Sequence, residues 1–108
     1  MVKLEGFRKM AMALEMVVEM PHFEKTSFRI KGKIFATLNS KEYRACVRLS
    51  EIDQSTFCSF DASVIYPVPN KWGKFGWTLI NLKKIRKSMC EDILNTAYNT
   101  VIEIKKKK

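Results

Sequence analysis

The strongest constraint on this chain is a run of three short alternating segments between Thr26 and Leu49, joined by tight turns. From Thr26 to Lys31, Phe28 and Ile30 fall on one side and Ser27, Arg29 and Lys31 on the other. Lys31-Gly32-Lys33 makes a turn, and Lys33 to Asn39 then places Ile34, Ala36 and Leu38 on one face. Asn39 to Glu42 forms the next turn. Tyr43 to Leu49 points Ala45 and Val47 inward and Arg44, Cys46 and Arg48 outward. Alternation with a period of two, broken by short turns, specifies an antiparallel meander with one buried face. That face needs a second layer to cover it.

The flanking segments supply the cover. Leu4, Phe7, Ala11, Leu14 and Val18 step by three and four residues, which predicts an amphipathic helix ended by Pro21. On that helix Glu15 and Glu19 would share a face, a spacing that suits a hard cation but more simply a solvated surface. Ser50 caps a second, short helix, with Glu51 and Asp53 in its first turn and Ile52, Phe57 and Phe60 as apolar contacts. Val64 to Val68 reads as a strand that Pro67 and Pro69 confine to an edge. Asn70 to Gly76 is a loop and Gly76 to Leu82 a strand. A last helix is predicted from a cap at Asn81 to Tyr98, with Leu82, Ile85, Met89, Ile93 and Ala97 on its apolar face. The order is α-β3-α-β2-α: an α+β domain of two layers with an antiparallel sheet.

A chain of 108 residues suits one such domain, and 46% hydrophobic residues is enough for a core. The domain is expected over residues 1–104, and Lys105 to Lys108 as a disordered lysine tail. No apolar run approaches the roughly 18–20 residues of a membrane span. A secretory leader pattern is also absent, so the expected compartment is the cytoplasm. Cys46, Cys58 and Cys90 are odd in number and widely spaced, which reads as three reduced, mostly buried thiols. With one histidine, His22, neither a metal site nor a cofactor is expected.

Three stretches carry a family resemblance. PHFEKTSFRIKGKIFATL from Pro21 to Leu38, RLSEIDQSTFC from Arg48 to Cys58, and YPVPNKWGKFGWTLINL from Tyr66 to Leu82 resemble the MmcQ/YjbR family. The likeness covers roughly Leu4 to Tyr98. It implies the same α-β3-α-β2-α order, similar to secretion chaperones, and a DNA-binding role inferred from likeness to double-wing transcription-factor domains.

The residues themselves offer one chemical theme. The net charge is +9, of which the terminal lysines carry four. From Ala62 to Cys90 there is no acidic residue, while Lys71, Lys74, Lys83, Lys84, Arg86 and Lys87 interleave with Trp72, Phe75 and Trp77. Alternation also places Arg29, Lys31, Lys33, Arg44 and Arg48 on one sheet face with Phe35. Cations neutralise phosphates and exposed aromatic rings stack on bases, so these positions are the candidate nucleic-acid contacts. Exposed cations are equally ordinary solubilising surface, and Trp77, mid-strand, reads as core more readily than as a stacking platform.

His22 with Glu24 is the nearest approach to an acid–base pair, and no nucleophile accompanies it. Phosphate-loop, dinucleotide-loop and nucleophile-elbow motifs are missing, and Gly73-Lys74-Phe75-Gly76 reads as a turn. The chain is therefore expected to be a non-enzymatic binding domain, with DNA as the first partner to consider. A protein partner or a second copy is the alternative, and a small ligand near His22, Trp72 and Trp77 ranks last.

Overall fold

The computed structural model describes residues 1–106. It contains α1 (Leu4–Met12), β1 (Val17–His22), β2 (Lys25–Ile30), β3 (Lys33–Asn39), β4 (Arg44–Arg48), α2 (Glu51–Cys58), β5 (Ile65–Pro67), α3 (Lys71–Lys74), β6 (Trp77–Asn81) and α4 (Lys87–Lys106). The six strands form one antiparallel sheet in the order β1-β2-β3-β4-β6-β5. The predicted α+β class and antiparallel meander are those observed.

α4 lies across one face of the sheet, with α1 beside it against β1 and α2 beside β5. Phe7 and Ala11 of α1 and Cys90, Ile93, Leu94, Ala97 and Val101 of α4 are buried against Phe28, Ile30, Ala36, Leu38, Ala45, Val47 and Ile80 from the strands. Burying these side chains is the main drive to fold. Among the described residues, no buried polar side-chain atom lacks a hydrogen-bond partner.

Four details differ from the sequence reading. First, the N-terminal helix stops at Met12, and residues 17–22 form an edge strand instead. Past the helix end, Met16 takes a left-handed conformation (φ 66°) that turns the chain, and the β-branched Val17 and Val18 then pair with Ile30 and Arg29. Pro21 is tolerated because β1 is an edge. Glu15 and Glu19 therefore do not share a helix face. Glu19 turns to the helix layer, where Arg8 Nε donates to its two carboxylate oxygens at 2.8 and 3.0 Å.

Second, the pairing of β2 with β3 slips by one residue. Phe28 sits opposite Ala36 but Arg29 opposite Ile34, so Phe35 is the extra residue of a bulge. The bulge turns Phe35 into the core, fully buried, with its ring edge-on to Tyr98 at 5.8 Å. Phe35 is thus not on the basic face. Ile34 occupies that side instead.

Third, Asn81 caps a turn and not the last helix. Its Oδ1 accepts from Lys83 N at 3.0 Å, and α4 begins at Lys87. Leu82 and Ile85 remain buried, but in the connection. α4 also continues through Lys105 and Lys106, where a disordered tail was expected, while residues 107–108 lie outside the described part. Fourth, α2 begins at the expected cap, with Ser50 Oγ accepting from Asp53 N, yet Ile52 and Phe60 point to solvent. Of the three expected apolar contacts only Phe57 packs on the core, joined there by Cys58.

Candidate functional site

α1, α2 and α4 cover one side of the sheet, while the other side is open apart from α3 and the segment before it, whose Trp72 and Val68 stand over one edge. Register and alternation assign this open face. It carries Val18, Met20 and His22 from β1, Lys25, Ser27 and Arg29 from β2, and Ile34, Thr37 and Asn39 from β3. Arg44, Cys46 and Arg48 of β4, Trp77, Leu79 and Asn81 of β6 and Tyr66 of β5 complete it. Glu19 is the one acidic residue in the six strands, and it faces the helix layer. The open face therefore presents Lys25, Arg29, Arg44 and Arg48 with no strand carboxylate among them. Arg29 is held by its Nε donating to Ser27 Oγ at 3.0 Å, and Ser27 Oγ donates in turn to Met20 O at 2.9 Å. Arg44 reaches Glu42 of the neighbouring turn at 3.3 Å.

The middle of this face is hollow. A concavity of about 530 Å³ is lined by Ile34, Thr37, Asn39, Cys46, Val68, Trp72, Trp77 and Leu79, with His22, Lys25, Glu42 and Arg44 at its rim. Such a volume falls inside the range of roughly 300–1,000 Å³ typical of small-ligand sites. Burial pushes the Cys46 thiol up to about 11, with nearby Lys25 acting weakly in the opposite sense. At neutral pH Cys46 is thus an uncharged part of the wall and no nucleophile. Burial likewise pushes Cys90 up to about 12 and raises Cys58, and all three thiols are free.

The two tryptophans are positioned by a network of local hydrogen bonds. Asn70 Oδ1 accepts from Trp72 N at 2.9 Å and starts the single turn of α3. Gln54 of α2 donates through one amide nitrogen to Gly73 O, Trp77 O and Thr78 Oγ1, at 2.9, 3.2 and 3.1 Å. That shared donor ties α2, α3 and β6 together. Trp72 remains 52% exposed, with Phe75 edge-on at 6.0 Å and Lys71 Nζ at 5.7 Å from its ring centre. Trp77, expected in the core, is instead half-buried on the open face, beside Arg48 in register.

The sequence-derived candidates do not all come together. Arg29, Arg44 and Arg48 share the open side by register, but Arg48, at the strand end, also borders a hollow lined by Glu51, Asp53 and Glu103. Lys31 sits in the β2–β3 turn and borders a hollow on the helix side with Tyr98 and Val101, and Lys33 follows it exposed. Lys71, Trp72 and Lys74 stand at the Arg48 end of the sheet. Lys83, Lys84, Arg86 and Lys87 follow Asn81 at the Arg44 end, with Lys83 Nζ over the Tyr43 ring at 5.8 Å. The four steps of β4 between those ends span roughly 13 Å. Lys25, absent from the sequence-derived set, joins the open face because it alternates in step with Ser27 and Arg29. His22 reaches the rim, but Glu24 lies in the β1–β2 turn and pairs with Lys41 at 3.8 Å. They do not form an acid–base pair. Among the described residues, no group of three or more His, Cys, Asp or Glu side chains could hold a metal ion. No described helix is long and apolar enough to cross a membrane.

The fold and this site can be set beside known proteins. The family model YjbR matches residues 12–100. The chain belongs to the YjbR family. The match spans β1 through most of α4 and so includes every strand of the open face. The crystal structure of a Deinococcus radiodurans protein with a DUF419 domain has the same fold, with a TM-score of 0.80 at 17% identity. That alignment covers 94% of this chain and 79% of the other. No curated protein matches this chain significantly.

Proposed function

We propose that this YjbR domain is a non-enzymatic DNA-binding module that receives its ligand on the uncovered sheet face. One observation carries the reading: the face presents Lys25, Arg29, Arg44 and Arg48 with no strand carboxylate, since Glu19 is turned away onto Arg8. Cations neutralise phosphates and release counterions, which supplies the non-specific part of DNA affinity, and a phosphate at Arg44 would displace Glu42 from it. Lys71 and Lys74 at one end, and Lys83 and Lys84 at the other, extend the positive field beyond the sheet.

The test is fluorescence anisotropy of a labelled DNA at about 50 and 200 mM salt, the range over which phosphate-driven binding weakens steeply. A chain ending at Ile104 is titrated alongside, so that the terminal lysines cannot supply the signal. Affinity is expected to fall with salt in both chains. The double variant Arg29→Gln/Arg48→Gln is expected to reduce the slope of log K against log salt by about 2, roughly one per lost phosphate contact. An unchanged slope in that variant would remove these two arginines from the interface, and no binding at low salt would sink the reading.

A further inference from the structure

We propose that the occupant of the open face is single-stranded DNA, with one unpaired base seated in the hollow against Trp72 and Trp77. This rests on the DNA-binding reading and narrows it. A sheet face that bound only a duplex backbone would need cations and little else, because paired bases keep their flat faces stacked inside the helix. Here Lys25 and Arg44, with Glu42 of the β3–β4 turn, line a concavity of about 530 Å³ whose wall includes two indole rings, Ile34, Val68 and Leu79. Indoles in such a wall can stack only on a base that has left its own stack, and stacking is the main sequence-tolerant source of single-strand affinity.

The rim supplies the other half of the ligand. Lys25 and Arg44 stand at the edge of the same hollow, where the phosphates flanking an inserted base would lie. Asn39 and Thr37 inside it offer hydrogen bonds to a base edge. Trp72 is half-exposed while its N–H is held by Asn70 Oδ1 and the carbonyl of the next residue, Gly73, by Gln54, so its ring is accessible on a positioned support. The apolar part of the wall gives the methyl group of thymine a contact that uracil cannot make, which favours DNA over RNA.

Three labelled probes separate the possibilities: a thymidine oligonucleotide of about ten residues, its duplex with the complementary adenosine strand, and the uridine ribo-oligonucleotide. All are titrated at about 50 mM salt into the full chain and into Trp72→Ala and Trp72→Phe. The single strand is expected to bind at least about tenfold tighter than the duplex, and tighter than the uridine strand. Trp72→Ala is expected to lose roughly 5- to 150-fold on the single strand, the cost of one lost stack, with little change on the duplex. Trp72→Phe is expected to keep most of the affinity. Trp72 lies outside the core, so equal thermal melts will show that both variants fold. Salt-sensitive binding that is equal for duplex and single strand, and unmoved by Trp72→Ala, would overturn the base-in-hollow proposal and leave the DNA-binding reading standing. Tighter binding of the uridine strand would overturn the assignment to DNA. No binding of any probe would overturn both.

Discussion

A Gly76→Ala chain is expected to lose about 3–5 kcal/mol of stability, enough to leave a domain of this size marginal. Gly76 has φ +98°, a conformation that side chains with a Cβ rarely adopt. A Cβ built there would stand 1.8 Å from the carbonyl oxygen of Leu49, which is backbone and cannot swing aside. The approach is this close because the two segments are tied: Leu49 N donates to Gly76 O at 2.9 Å. Alanine must break that tie or push β4 and β6 apart where they carry Arg48 and Trp77. Urea denaturation measures the effect as a shift in midpoint. A midpoint equal to that of the parent chain would show that the contact is loose.

The second large effect is expected at Phe35. Phe35→Ala should cost about 3–5 kcal/mol, the usual range for emptying the site of a buried phenylalanine. Phe35→Leu should cost less, since it leaves a smaller cavity. The pair of variants tests the bulge. Simple alternation would put Phe35 on the open face among cations, where its loss would fall within about 0.5 kcal/mol, as for most surface substitutions. The bulge puts it under α4 against Tyr98. A large loss supports the shifted register, and a small one would contradict it.

That bulge also illustrates what could be read from residues alone. The meander, the Ser50 cap and the edge position of the proline-bearing strand β5 were legible, because each depends on local chemistry: alternation, capping oxygens, a missing N–H. β1 was not legible. Ala11, Leu14 and Val18 fit a helical stripe as well as any true helix does, and what decides against it is pairing with β2, a contact made at a distance. Similarly, Asn81 is a good cap, but its side chain satisfies Lys83 N in a turn before α4 can begin. In the site, alternation correctly placed Arg29, Arg44 and Arg48 together. It could not show that the bulge removes Phe35, or that β6 and α3 carry Trp77 and Trp72 over β4 to wall a hollow. Lys25 could have been found, since it shares the parity of Arg29.

The account of function is a division of labour between the two sheet faces. One face buries apolar side chains under three helices and holds the strands in register. That packing sets the strand positions from which the other face's cations and Trp77 project. Its central claim is therefore about place: nucleic acid should touch the open face and leave the helix layer alone. The most direct measurement is a two-dimensional amide and indole NMR titration of the isotopically labelled chain with a short DNA strand. The account predicts that the largest shifts fall on Lys25, Arg29, Arg44, Cys46, Arg48 and Leu79 and on the indole N–H signals of Trp72 and Trp77, with α1 and the middle of α4 unmoved. Shifts confined to α4 and its lysine-rich end, with the open face silent, would contradict it.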